Sequence, residues 1–183
     1  MNNPLRTRSY QQTKRHYEDL RQVVYEFSEE EFRALGATFS EISYSDTVEA
    51  DNWNWDNAEK TPSWEWRSLY HNYHSHSGIK RFDLAVRSRG NLCALCYGVP
   101  SRGKLILKLH ALSRRPQNNP LSGNVLSMVL FSADSYARLI GAEEMWLCNP
   151  MNNKLVSLYE SVGFTAHFNG LGIPTHLSMR LQS

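Results

Sequence analysis

The stretch "KLILKLHALSRRPQNNPLSGNVLSMVLFSADSYARLIGAEEMWLC", Lys104 to Cys148, decides the fold. It begins as an apolar strand, passes a turn rich in Asn, Pro and Ser, and enters "VLSMVLFSADSYARLI", where apolar residues recur at helical spacing. Gly141 stops that helix, predicted over 124–140, and "EMWLC" resumes an apolar strand. A strand, a helix and a strand in this order call for two parallel strands joined by a right-handed crossover.

Working outward, "RFDLAVR", the turn "SRGN", "LCALCYGV" and the turn "PSRG" lead into the first of those strands. Short apolar runs parted by Gly-containing turns predict a three-stranded antiparallel meander. Downstream, "MNNKLVSLYESVG" reads as a helix, "FTAHF" as a strand and, after "NGLGIPT", "HLSMRL" as another. Upstream, Tyr10, Tyr17, Leu20, Val23, Val24 and Phe27 predict a helix over 9–27. Ser28 and Glu31 stand in capping-box register for a second short helix that Gly36 ends. Residues 37–60 carry no sustained period and read as a loop with room for short elements, and Ser63 can cap a helix bearing Trp66, Leu69, Tyr70 and Tyr73 on one face. The predicted architecture is α/β: a mixed, mostly antiparallel sheet with one parallel pair and helices on both faces.

Composition narrows the classes. A chain of 183 residues forms one domain, and its longest apolar runs, such as "MVLF", are far short of the ~20 residues that cross a bilayer. The N-terminus lacks the apolar core of a secretory signal, and three cysteines make no disulfide framework, so a reducing cytoplasm is expected. The net charge of +2 hides an asymmetry: residues 28–59 hold nine acids against Arg33. Lining a cleft, they would attract a cationic partner such as an amine. The five basic residues of 1–22 are too sparse to signal nucleic acid.

With "NPMNNKLVSLYESVGF" at its end, this order of elements resembles the GNAT acyltransferase superfamily. Asn152, Leu158, Tyr159, Gly163 and Phe164 fall on the pattern of that family's helix after the fifth strand, with Leu155 where Ala is usual. The resemblance extends more loosely over 81–181 and implies a single GNAT-like domain, 1–183. In it 81–183 would form the sheet and the acyl-CoA-binding core, and 1–80 a helical, acceptor-side region. The family's pyrophosphate loop, laid on "RRPQNNPLSGN", puts Asn118 where Arg or Gln is usual and Leu121 where a glycine is usual. The cofactor residues implied are Arg115, Asn118, Asn119, Leu121, Ser122, Gly123 and Asn124, with Asn152 toward the pantetheine. A small pair, Ser122 and Gly123, lets backbone amides at a helix start approach a diphosphate, and Arg114 or Arg115 can pair with phosphate.

The resemblance also implies a bulge in the fourth strand that turns a main-chain N–H toward a thioester oxygen, placed at about Ala111, Leu112 and Ser113. Tyr159 would protonate the departing thiolate, and His110 is a base candidate. The expected activity is transfer of acetyl from acetyl-CoA to an amine (a small molecule, a peptide or an aminoacyl-tRNA) without metal or membrane. Dimers are frequent among similar proteins, so a homodimer is a candidate assembly. On the acceptor side stand Trp53, Trp55, Trp64 and Glu65, with Glu49, Asp51, Asp56 and Glu59 as further candidates; clustered Trp can box a cation or equally bury the N-terminal helices on the sheet, the reading that suits Trp66 better. A protein-interaction module built on a degenerate fold, and a nucleic-acid-binding relative, are the rival readings. His71, His74 and His76 lack zinc spacing, and Cys93 and Cys96, an odd number of residues apart on a strand, are expected on opposite faces as packed thiols.

Overall fold

The computed structural model describes residues 4–55, 62–75 and 78–181, and side chains from residue 10 onward except that of Ser75. Its helices are α1 (Pro4–Glu31), α2 (Tyr44–Asp51), α3 (Trp66–Ser75), α4 (Val125–Leu139) and α5 (Asn153–Ser161). The strands are β1 (Ala37–Ser40), β2 (Phe82–Ser88), β3 (Asn91–Pro100), β4 (Ile106–Arg114), β5 (Glu144–Cys148), β6 (Thr165–His167) and β7 (His176–Arg180). They form one seven-stranded sheet in the order β1-β2-β3-β4-β5-β7-β6. All neighbours are antiparallel except β4 and β5, the pair joined through α4. The predicted mixed sheet, its meander and its parallel pair are therefore all present.

Two cores flank the sheet. On one face α1, α4 and α5 bury Tyr17, Val24, Met128, Tyr136, Val156 and Tyr159 against Leu84, Leu107, Met145 and Leu177. On the other, α2 and α3 bury Ile42, Ala50, Trp53 and Trp66 on Ala85, Leu95, Tyr97 and Ala111. Trp66 is 2% exposed and donates its indole N–H to Ser113 Oγ at 3.2 Å, so a large apolar ring is buried with its one donor satisfied.

Local reading differs from the structure in four places, each time because a distant partner decides. First, α1 is continuous to Glu31, and Ser28 is no cap: it is fully buried and its hydroxyl bonds that of Ser132 on α4 at 2.8 Å. Tyr10, Val23 and Phe27 are more than half exposed, because the helix turns its Arg21 side inward toward Asp83.

Second, the short elements allowed within 37–55 are defined ones, β1 and α2, which no local period announced. A capping box starts α2, with Ser43 Oγ accepting from Asp46 N and the Asp46 carboxylate accepting from Ser43 N. Third, Ser63 does not cap α3. Asp51 at the end of α2 does, accepting from Trp66 N at 2.7 Å and Arg67 N at 3.2 Å. Fourth, Cys93 and Cys96 lie in the same core. Ala94 pairs Val86 while Leu92 pairs Arg87, so Cys93 is a bulged extra residue and the alternation slips by one.

Candidate active site

The site begins where β4 and β5 part. Their ladder runs from Ile106↔Glu144 to Leu109↔Leu147 and stops there. Past Leu109, β4 continues to Arg114 paired with β3, while β5 ends at Cys148 and the chain turns away through Asn149, whose φ is +49°. At the same level Tyr97 pairs Ala111 and Gly98 pairs Leu109, which leaves His110 as the extra residue of a β-bulge. The bulge expected at Ala111 to Ser113 thus sits at His110. A Cβ on Gly98 would lie 2.7 Å from Leu109 Cδ2 and 3.0 Å from Lys108 O, so a larger residue there would have to displace the Leu109 side chain and press on the kinked strand.

The parting opens a cleft whose walls include Trp64, His110, Cys148, Asn149, Leu155 and Tyr159. His110 lies toward the α3 face, its ring 6.4 Å from that of Tyr73. Burial and then the Lys108 charge hold the His110 pKa below its usual value. The imidazole is therefore neutral at pH 7 and able to take a proton. Tyr159 closes the cleft from α5. It is 8% exposed, and its hydroxyl makes no hydrogen bond among the described residues. Burial and then Cys96 push its pKa up to about 12, so the phenol keeps its proton. Asn152 is the N-cap of α5, its Oδ1 accepting from Leu155 N at 3.0 Å. That bond fixes the helix carrying Tyr159 and leaves the Asn152 amide N–H₂, with the second lone pair of Oδ1, for a ligand.

At the far end of β4 the turn "RRPQNNPLSGN" enters α4. The first bond of this helix runs from Met128 N to Asn124 O at 3.1 Å, and Asn124 makes no side-chain cap. The N–H groups of Val125, Leu126 and Ser127 precede that bond and, with the positive helix end, form an anion-attracting terminus. Gly123 has φ +89° with nothing within 4 Å of where a Cβ would sit, so the backbone there is open to a close approach. Ser122 and Asn124 are exposed beside it, as is Asn118, which takes φ +50°.

Three predicted loop residues serve the fold instead. Asn119 gives its side-chain N–H to Cys93 O at 2.9 Å and accepts from Leu121 N at 3.0 Å. Leu121 is 2% exposed and anchors the turn in the core. Arg115 points to Asn91 Oδ1 at 3.3 Å and Glu49 at 3.6 Å, away from the helix start, while Arg114 is exposed.

The acceptor-side residues divide likewise. Trp64 reaches the cleft; Trp53 and Trp55 pack on one another at 6.3 Å in the core under α2 and α3. Glu65 is exposed and accepts from Ser68 Oγ at 3.3 Å, off the cleft. Leu112 lines the cleft by its other side, and Ser113 is held by Trp66. Asp56, Glu59 and His76 lie outside the described residues.

The acidic stretch forms no anionic cleft among these residues. Glu41 binds Arg81, Asp46 binds Arg87, Glu49 lies 3.6 Å from Arg87 and Arg115, and Asp51 is taken by Arg67 and the α3 start. Glu41, His74 and Asp83 do converge within 4.8 Å, but Arg81 and Arg21 already neutralise these carboxylates. Sequence reading missed Cys148 and Lys108. The signal for both was the end of an apolar strand beside His110, which gains meaning only once β4 and β5 are known to part.

No family profile and no curated protein matches this sequence. Solved structures do. Ard1 from Thermoplasma volcanium aligns at TM-score 0.60 and 12% identity, over 81% of this chain and 99% of its own. The PaiA N-acetyltransferase from Thermoplasma acidophilum, in complex with coenzyme A, aligns at 0.56 and 15%, over 79% and 98%. The ribosomal-protein-S18-alanine N-acetyltransferase from Escherichia coli aligns at 0.54 and 15%, over 80% and 95%. At such identities the likeness shows a shared fold.

Proposed function

We propose that this chain, which has the fold of the GNAT acyltransferases, is an acyl-CoA-dependent N-acyltransferase that carries acetyl from acetyl-CoA directly to an amine. The observation that carries the reading is the parting of β4 and β5 at Leu109, with the His110 bulge on one wall and the Tyr159 phenol at its base. An amide-lined helix start with open space over Gly123 stands at the end of the same strand and would receive the diphosphate. Similar structures whose names include an N-acetyltransferase in complex with coenzyme A support it.

The chain's own groups divide the work. The N–H groups opening α4 and the exposed Arg114 would hold the phosphates of acetyl-CoA, which supplies the activated acyl thioester. The backbone freed at the bulge polarises the carbonyl. Neutral His110 takes the first proton from the incoming ammonium, leaving a free amine to attack. As the C–N bond forms and the C–S bond breaks, the surplus N–H proton must end on sulfur. A phenol at about 12 is a weaker acid than a thiol near ~8.5, so Tyr159 donates only as the C–S bond breaks and is reprotonated from the nitrogen.

Titration calorimetry of the full chain with acetyl-CoA tests the reading. Saturable binding is expected, and no heat at millimolar ligand removes the proposal.

A further inference from the structure

The acceptor side of the cleft has an unusual charge pattern for a site that takes an amine. Its described walls carry no carboxylate, and the acids of α2 and the strand before it are held by arginines or by the α3 start. What lies beside His110 on this face is a cation. Lys108 is two residues back on β4, about 7 Å along the strand, and makes no ion pair among the described residues. Its Nζ sits 5.0 Å over the Trp146 ring, which stacks on His176 at 4.1 Å, which stacks on His167 at 4.6 Å.

These four side chains cross β4, β5, β7 and β6 on the face opposite Leu147 and Leu177, beyond the part that α2 and α3 cover. They are half-buried, His167 being exposed. Glu144, which touches this row, accepts the Trp146 indole N–H at 2.8 Å and does not pair with Lys108. His176 is the strand partner of Cys148, a wall of the cleft, so the row starts at the site itself. After burial, the charge of Lys108 also bears on His110 and, behind that of His167, on His176.

Resting on the function proposed above, we propose that the acceptor is a zwitterionic monoamine with a planar apolar body. Its amine lies at His110, its acidic group, carboxylate or phosphate, on Lys108, and its ring against Trp64. The indole N–H of Trp64 is buried and has no partner among the described residues. A polyamine is disfavoured, because a second ammonium entering a cleft without a carboxylate loses its water and gains no counter-charge. The transfer balances as before: one N–H is exchanged for N–C, and the thioester sulfur leaves as a thiol.

Thiol release at saturating acetyl-CoA, with phenylalanine, phenylalanine amide, phenethylamine, 1-amino-2-phenylethylphosphonate and spermidine in turn, tests this. The expected order puts an acid-bearing amine first, with kcat/KM at least tenfold above phenethylamine and above spermidine. Phenylalanine against its aminophosphonate analogue, which keeps the ring and the amine and exchanges only the acid, tells which acidic group is read. Lys108→Gln should shrink the ratio of acid-bearing to acid-free amine below threefold, through KM, and Lys108→Arg should restore it. Spermidine or phenethylamine equal to the acids, no turnover of any of the five while acetyl-CoA binds, or an intact ratio in Lys108→Gln overturns the inference. Failure to bind acetyl-CoA overturns instead the function on which it rests.

Discussion

Replacing Tyr159 by Phe removes one oxygen from the base of the cleft and little else. The ring is 92% buried by its 8% exposure and packs edge-on to Phe164 at 6.2 Å, contacts a phenylalanine keeps. The hydroxyl bonds no described residue, so folding loses no hydrogen bond there, and stability should move by less than about 0.5 kcal/mol. The rate should respond very differently. A hydrogen bond to a group bearing charge contributes about 1.5–3 kcal/mol, and here it forms as the sulfur takes up electrons. Loss in the transition state alone lowers kcat by about 10- to 150-fold, with acetyl-CoA affinity changed less than about threefold.

Pre-steady-state thiol release, with binding measured separately by calorimetry, separates the two quantities. A thioester of a more acidic thiol should narrow the deficit, because its sulfur needs less help to leave. Unchanged turnover, or a loss of affinity equal to the loss of rate, would refute the assignment of Tyr159 as proton donor.

Other perturbations follow from the same geometry. Because burial and Lys108 lower the His110 pKa, its neutral form persists below the ordinary value. With an acceptor that stays an ammonium throughout, the acid limb of kcat/KM should fall below pH ~6.5, and His110→Gln should abolish it; a limb above that pH contradicts the base role. Gly123→Ala puts a Cβ on a backbone at φ +89°; with no neighbour within 4 Å, the penalty is conformational, about 1–2 kcal/mol. Calorimetry should show acetyl-CoA binding weakened by about 5- to 30-fold as the loop changes shape to relieve it.

Asp83→Asn tests the buried charge network. Asp83 is fully buried and takes Arg81 Nε at 3.0 Å, Arg21 Nε at 3.6 Å and, through Oδ1, the Tyr25 hydroxyl at 3.3 Å. Its loss leaves two guanidinium groups short of an anion, which should cost about 3–5 kcal/mol in urea denaturation; under about 1 kcal/mol would argue the pair is solvated.

The sequence by itself determined the elements whose signals are local. The strand–turn–helix–strand of 104–148 carries its own periods and its own stop at Gly141, so α4, β4, β5 and their parallel pairing were legible. The Asn152 to Phe164 pattern likewise announced α5 and its tyrosine, because a cap and a helical face are set within a few residues. Tyr159 and His110 were named as candidates through the family resemblance, and no local period singled them out.

Only the tertiary structure decided which of the named residues meet. A bulge is a count of two residues against one on a neighbouring strand, and nothing in "LHALS" says that His110 is the extra one. Pairing of charges is equally non-local: Arg87 reaches back to Asp46 and Arg81 to Glu41 across about forty residues, which turns an acidic run into neutral scaffold. The insertion of β7 between β5 and β6 sets His176 beside Cys148 and stacks it on Trp146. Sequence supplies the side chains and their periods. Hydrogen-bond register between strands distant along the chain assigns them to a face, and so decides whether a residue lines a cleft or fills a core.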